Sequence, residues 1–169
     1  MGKVMLILSP TRHNPKSVDL AISLVRKTKR SLLAVFIVDT KVSDAISGRI
    51  VDIGFLGDRV STQLKNAILR DYETRGRREL QEVSDRAEEL GIPCETVVGR
   101  GDFAEESLRI AVEKKVEDII VSRAERSNIS RKLFGSAVNQ LLERSPCPVM
   151  VVSDSSVESH EETNAHQTG

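Results

Sequence analysis

Apolar and polar positions along this chain repeat with two different periods, in alternation. Residues 4–8, Val-Met-Leu-Ile-Leu, form an unbroken apolar run ended by Ser9-Pro10, which predicts a strand covered on both faces. Asn14-Pro15 then supplies an N-cap and a proline at the first helical position. Val18, Ala21, Ile22 and Val25 follow at helical spacing, with Lys16, Asp19, Ser23 and Arg26 on the opposite face. Residues 31–38, Ser-Leu-Leu-Ala-Val-Phe-Ile-Val, predict a second buried strand closed by Asp39-Thr40.

The pattern breaks over residues 41–60, where Gly48, Gly54 and Gly57 flank a short apolar piece. This stretch reads as an irregular excursion with a short helix around 42–46. Helical spacing resumes over 61–90, on a seam of Leu64, Ile68, Tyr72, Leu80, Val83, Ala87 and Leu90. Gly76 falls where that seam wants a side chain, marking either close packing or a bend. Gly91 fits a C-terminal cap, with Pro93 beyond it. The second half repeats the alternation: a strand over 94–98, a turn at Gly99-Arg100-Gly101, and a capping box from Asp102 to Glu105. The helix it opens carries Leu108, Ala111 and Val112 on one face. A strand over 118–122 follows, then a charged loop and a helix with Ala137, Val138, Leu141 and Leu142 as its apolar face. Ser145-Pro146-Cys147-Pro148 stops that helix, because proline cannot continue it, and 149–152 is the last strand.

Four strand–helix units closed by a fifth strand predict an α/β fold, an open, mainly parallel five-stranded sheet with helices on both faces. The folded domain spans 1–153. Residues 154–169 are Ser, Glu, His, Thr and Asn with little that is apolar, and are expected to stay disordered. In such sheets ligands bind at the carboxyl ends of strands, where strand order reverses. The ligand walls are therefore residues 9–14, after the first strand, and 122–136, after the fourth.

Composition narrows the function classes. Lys plus Arg and Asp plus Glu are both 25, so no global field favours nucleic acid or an anionic membrane. Aromatics are 3% and Trp is absent, which leaves no platform for base stacking. Cys94 and Cys147 stand far apart with no Cys/His cluster, so each reads as a small core residue. His160 and His166 in a polar acidic tail do not make a preformed metal site. The opening Met1-Gly2-Lys3 leads straight into the first strand without a signal-peptide pattern, and no run is long enough to span a membrane, so the cytoplasm is the expected location.

The loop from Val121 to Ser136 carries Arg123, Arg126, Arg131 and Lys132 and ends in Gly135-Ser136, read as the opening of the next helix. Backbone N–H groups at such a junction can hold a phosphate. The plain alternative is a solvated loop, with Glu125 paired to a neighbouring Arg. His13 near the first loop would need a positioned partner to act as a general base, and no nucleophile elbow or paired acids stand anywhere, so catalysis is not expected.

Ile7-Leu-Ser-Pro-Thr11, Gly101-Asp-Phe-Ala-Glu105, Leu133-Phe-Gly-Ser-Ala137 and Ser145-Pro-Cys-Pro-Val-Met-Val-Val152 together resemble the universal stress protein family, over nearly the whole of 4–152. The resemblance implies a Rossmann-like fold of the adenine nucleotide alpha hydrolase type. ATP-binding members resemble one another in a motif G-x2-G-x9-G-[ST]. Counted back from Gly135, its first two glycines fall on Ser122 and Glu125. Side chains thus stand where backbone would touch the nucleotide, and one of them is an anion. The Asp that follows the Pro-Thr step in nucleotide-binding relatives corresponds here to Arg12, which cannot accept a hydrogen bond. The degenerate nucleotide site comprises Pro10, Thr11, Arg12, Val38, Ser122, Glu125, Arg126, Gly135 and Ser136.

What the resemblance implies is a cytoplasmic regulatory factor that works through protein contacts, with no cofactor expected. Homodimerisation is expected through Val149, Met150, Val151 and Val152, whose unpaired edge would match that of a second copy. An unidentified regulatory protein completes the partners. The alternative is a stress sensor binding ATP or AMP at the loop after the fourth strand and at Gly135-Ser136.

Overall fold

The computed structural model describes residues 1–41, 43–44, 58–123, 130–153 and 157–160; for 58, 130–136 and 157–160 only the backbone is described. In chain order the elements are β1 (Lys3–Leu8), α1 (Pro15–Thr28), β2 (Ser31–Asp39), α2 (Asp58–Glu89), β3 (Cys94–Gly101), α3 (Phe103–Lys114), β4 (Asp118–Ser122), α4 (Ser130–Arg144), β5 (Val149–Val152) and β6 (Val157–His160). The strands form one sheet in the order β3-β2-β1-β4-β5-β6. The first five run parallel, and β6 returns antiparallel along β5. Strand order reverses between β1 and β4, as the alternation predicts for a doubly wound sheet.

Successive side chains of the central strands point to opposite faces and build two cores. Val4, Leu6 and Leu8 of β1 join Leu32, Ala34, Phe36 and Val38 of β2 beneath α1 and α2. Met5 and Ile7 join Leu33, Val35 and Ile37 beneath α3 and α4. Both faces of β1 and β2 are therefore dry, which is why these strands read as unbroken apolar runs.

Local signals act where the sequence places them. The Asn14 side chain accepts the Lys16 N–H at 3.0 Å and Pro15 begins α1. The Asp102 carboxylate accepts the Glu105 N–H at 3.0 Å at the start of α3. Gly91 takes φ 67° after α2, and the Ile92 N–H reaches back to the Ala87 carbonyl at 2.8 Å, closing the helix end. Gly76 marks close packing: a Cβ there would run into the ring of fully buried Phe36.

Other expectations are corrected. Gly99, Arg100 and Gly101 continue β3 opposite Ile37, Val38 and Asp39, because the long β2 offers pairing partners past residue 98. Leu90 and Val112 keep the helical spacing but are 44% and 64% exposed: Leu90 follows the last residue of α2, and Val112 is turned outward beside buried Ile110 and Ala111. Helix α4 begins at Ser130, so Gly135-Ser136 lies in its second turn and does not open it. Arg131, Lys132 and Leu133 are good helix formers with no proline among them, and they extend the helix toward its N-terminus. Residues 157–160 are a strand where disorder is expected; they add an antiparallel sixth strand to the five parallel ones and occupy the β5 edge expected to be unpaired. The β5 backbone supplies the ladder that the polar segment lacks by itself. The short helix expected around 42–46 lies mostly outside the described residues, although Ser43 and Asp44 are helical.

Candidate functional site

The carboxyl ends of β1, β2 and β4 meet beside the start of α3. Ser9-Pro10-Thr11-Arg12 forms a tight turn there, in which the Arg12 N–H donates to the Ser9 carbonyl at 3.1 Å and the Ser9 N–H returns to Arg12 at 3.3 Å. Pro10 occupies the turn position that favours a fixed φ near −65°. The turn folds the chain back so that Arg12 enters the protein, and its side chain is 1% exposed. Nη1 donates to the Ser122 carbonyl at 3.2 Å, and the guanidinium carbon stands 4.6 Å from the centre of the Phe103 ring. Burial pushes the Arg12 guanidinium down to about 10, with nearby Asp39 opposing the fall and Arg123 adding to it.

Several polar groups surround this cation. Asp39, the last residue of β2, is buried and accepts the Lys41 N–H at 3.0 Å. The Lys41 ammonium pairs with Asp102 at 2.5 Å, so the segment after β2 is tied to the cap of α3. Burial alone would raise the Asp102 carboxyl, but the hydrogen bonds from Lys41 and from the Glu105 amide hold it below its ordinary range. Ser9 and Ser122 are also buried, and their hydroxyls have no partner among the described residues.

The sequence-predicted positions divide accordingly. Arg12 and Ser122 are in direct contact, and Pro10 and Thr11 are the corner of the turn that brings them together. Val38 packs with the core on the α1 and α2 face, while its neighbour Asp39 supplies the charge that Arg12 feels. Glu125 and Arg126 lie outside the described residues. Gly135 and Ser136 sit inside α4, whose first four N–H groups, those unpaired within a helix, belong to residues 130–133. Phe103, Asp39 and Lys41 were not singled out by sequence reasoning. Asp39 could have been, since it ends the strand next to β1 and the carboxyl ends of strands are where polar groups converge. His13 is set apart from this cluster: its Nδ1 meets the Glu79 carboxylate at 3.2 Å and links the loop to α2.

The fold and this arrangement can be compared with known proteins. The model of the universal stress protein family matches residues 1–153. The chain belongs to that family. It is 23% identical over 151 residues to the universal stress protein YxiE of Bacillus subtilis, covering 89% of this chain and 98% of the relative. A crystal structure from the same family in Burkholderia pseudomallei superposes with a TM-score of 0.62 at 19% identity, covering 89% of this chain and 95% of the other. An Arabidopsis thaliana universal stress protein solved with AMP bound gives a TM-score of 0.53 at 14% identity, covering 90% and 92%.

The nucleotide-binding members set a test for these residues. Here the Ser122 carbonyl already accepts from Arg12, and the Arg12 side chain fills the adjoining space against Phe103. The helix start that would face a phosphate is displaced from Gly135-Ser136 to Ser130. Among the described residues no group of His, Cys, Asp and Glu could hold a metal ion, and no helix is long and apolar enough to cross a membrane.

Proposed function

We propose that this universal stress protein is a cytoplasmic regulatory factor that acts as a homodimer through protein contacts, with no turnover chemistry and no ATP held in the glycine-motif pose. The observation that carries this reading is the buried Arg12. The residue standing where nucleotide-binding relatives have an Asp is folded onto Phe103 and the Ser122 carbonyl, so the cleft is closed by the chain itself. Homodimerisation is supported by β5, whose Val149, Met150, Val151 and Val152 form a short apolar strand near the end of the sheet.

A second reading, an AMP- or ATP-binding sensor, is favoured by the likeness of fold to the Arabidopsis protein solved with AMP bound. Two measurements separate them: chromatography of the supernatant after denaturing the purified protein, and melting with ATP and magnesium or with AMP. A ligand at about a hundred times its Kd stabilises by about 2.7 kcal/mol, which in a chain of this size raises Tm by roughly 5–11 °C. Neither released nucleotide nor a rise is expected. A rise of that size with either nucleotide would establish the sensor instead.

A further inference from the structure

The β5 edge proposed for pairing with a second copy is not open in the folded chain. β6 lies along it, with Val149 opposite His160, Met150 opposite Ser159, Val151 opposite Glu158 and Val152 opposite Val157. Residues 153–156, Ser-Asp-Ser-Ser, make the connection. A strand has two edges, and the other edge of β5 is taken by β4. β6 and the β5 of another copy would therefore bind the same row of backbone groups, in the same antiparallel sense, and cannot do so together.

The two occupants are unequal in chemistry. β6 is Val-Glu-Ser-His, a four-residue strand with three polar residues and one β-branched apolar one. A short, mainly polar sequence has little apolar surface with which to offset its ordering entropy, a condition that leaves the covered and uncovered states close in free energy. A second β5 brings Val-Met-Val-Val to the same ladder, in which Val149, Val151 and Val152 are already fixed by the core. We propose that β6 is a displaceable cover of the self-association edge, so that this strand sets the concentration at which two copies pair. This rests on the homodimer reading above. Because both copies must uncover, the effect is squared: a cover closed about tenfold over open weakens the apparent dimer about a hundredfold.

Three chains test this by sedimentation or light scattering across a concentration series. One is the full chain. The second ends at Ser153, one residue past buried Val152 and at the end of the family match. The third is the full chain with Met150→Cys and Ser159→Cys, a register pair whose Cα separation in an antiparallel ladder, about 4.5–5.5 Å, lies within disulfide range. The shortened chain is expected to dimerise at least about tenfold more tightly than the full chain, a difference of about 1.4 kcal/mol. The oxidised lock is expected to stay monomeric and to recover self-association on reduction. Equal dimer affinity in the full and shortened chains overturns the cover while leaving the homodimer in place. Weaker pairing of the shortened chain overturns it too, since β6 would then be part of the interface. If the oxidised lock dimerises like its reduced form, or the shortened chain stays monomeric at every concentration, the β5 homodimer reading itself fails.

Discussion

Substituting Arg12 in two ways separates what its charge does from what its bulk does. The fall of the guanidinium from its ordinary value to about 10 means that keeping it charged in the fold costs about 3.5 kcal/mol, at about 1.4 kcal/mol per pH unit. Against this stand the Phe103 ring, about 2 kcal/mol for a desolvated cation–π contact, and the bond to the Ser122 carbonyl, about 1.5–3 kcal/mol for a charged donor. The terms nearly cancel. Arg12→Met, which keeps most of the bulk and removes the charge, is therefore expected within about 1 kcal/mol of the parent protein. Arg12→Lys keeps a charge that must be buried but lacks the planar group that stacks on Phe103, and is expected to lose about 2–3 kcal/mol. Urea unfolding at pH 7 with matched m-values reads the order directly. A Lys folded there would also have its pKa depressed below the unfolded value, so the unfolded state holds more protons between the two, and the variant should stabilise as pH rises through that window. A Lys variant as stable as the Met variant would refute this balance, because a buried charge without the stacking plane would then cost nothing.

Gly76→Ala should destabilise although alanine is the better helix former: the propensity gain of about 1 kcal/mol is outweighed by overpacking of about 1–3 kcal/mol against Phe36. A Tm drop of about 2–4 °C is expected, partly recovered when Phe36→Leu is added, and a rise in Tm would contradict the contact. For Asp102, whose carboxyl is held below its ordinary range, stability is present above the unfolded pKa and lost as pH falls through the lower folded one. Asp102→Asn keeps a capping side chain, so parent and variant should differ by less than about 1 kcal/mol at pH 7 and converge in acid unfolding once the pH has fallen through the lowered folded-state pKa; a difference that persisted there would assign the effect to shape instead of charge.

Most of the scaffold was legible because local and tertiary signals agree. The runs of β1 and β2 are apolar on both faces since both faces are buried, and Asn14 and Asp102 cap the helices they precede. The features that were not legible depend on partners distant in sequence. Nothing local to residues 157–160 favours a strand, and their order comes from the β5 ladder. Arg12 was recognised by position as a poor nucleotide ligand, but an arginine is ordinarily exposed. Its burial depends on Phe103 and Ser122, which are 91 and 110 residues away in sequence. The start of α4 was misplaced because Gly135-Ser136 looks like a helix opening, while the residues before it also favour a helix.

A cleft closed by a side chain differs in kind from one closed by a ligand. Ligand closure contributes a stability that follows the ligand's concentration through mass action, and so couples the fold to the cell's nucleotide pool. In the reading proposed above, Arg12 takes that place in every molecule, and closure at the ends of β1 and β4 carries no such information. Coupling requires an equilibrium whose two states lie within a few kcal/mol of each other. The interior strands do not offer one, since opening β1 or β2 would expose both cores. At the far edge of the sheet, a four-residue polar strand covers an apolar one. If this protein is regulated, the balance between covered and uncovered β5 is where a small free energy, from a partner or from self-association, has the greatest effect.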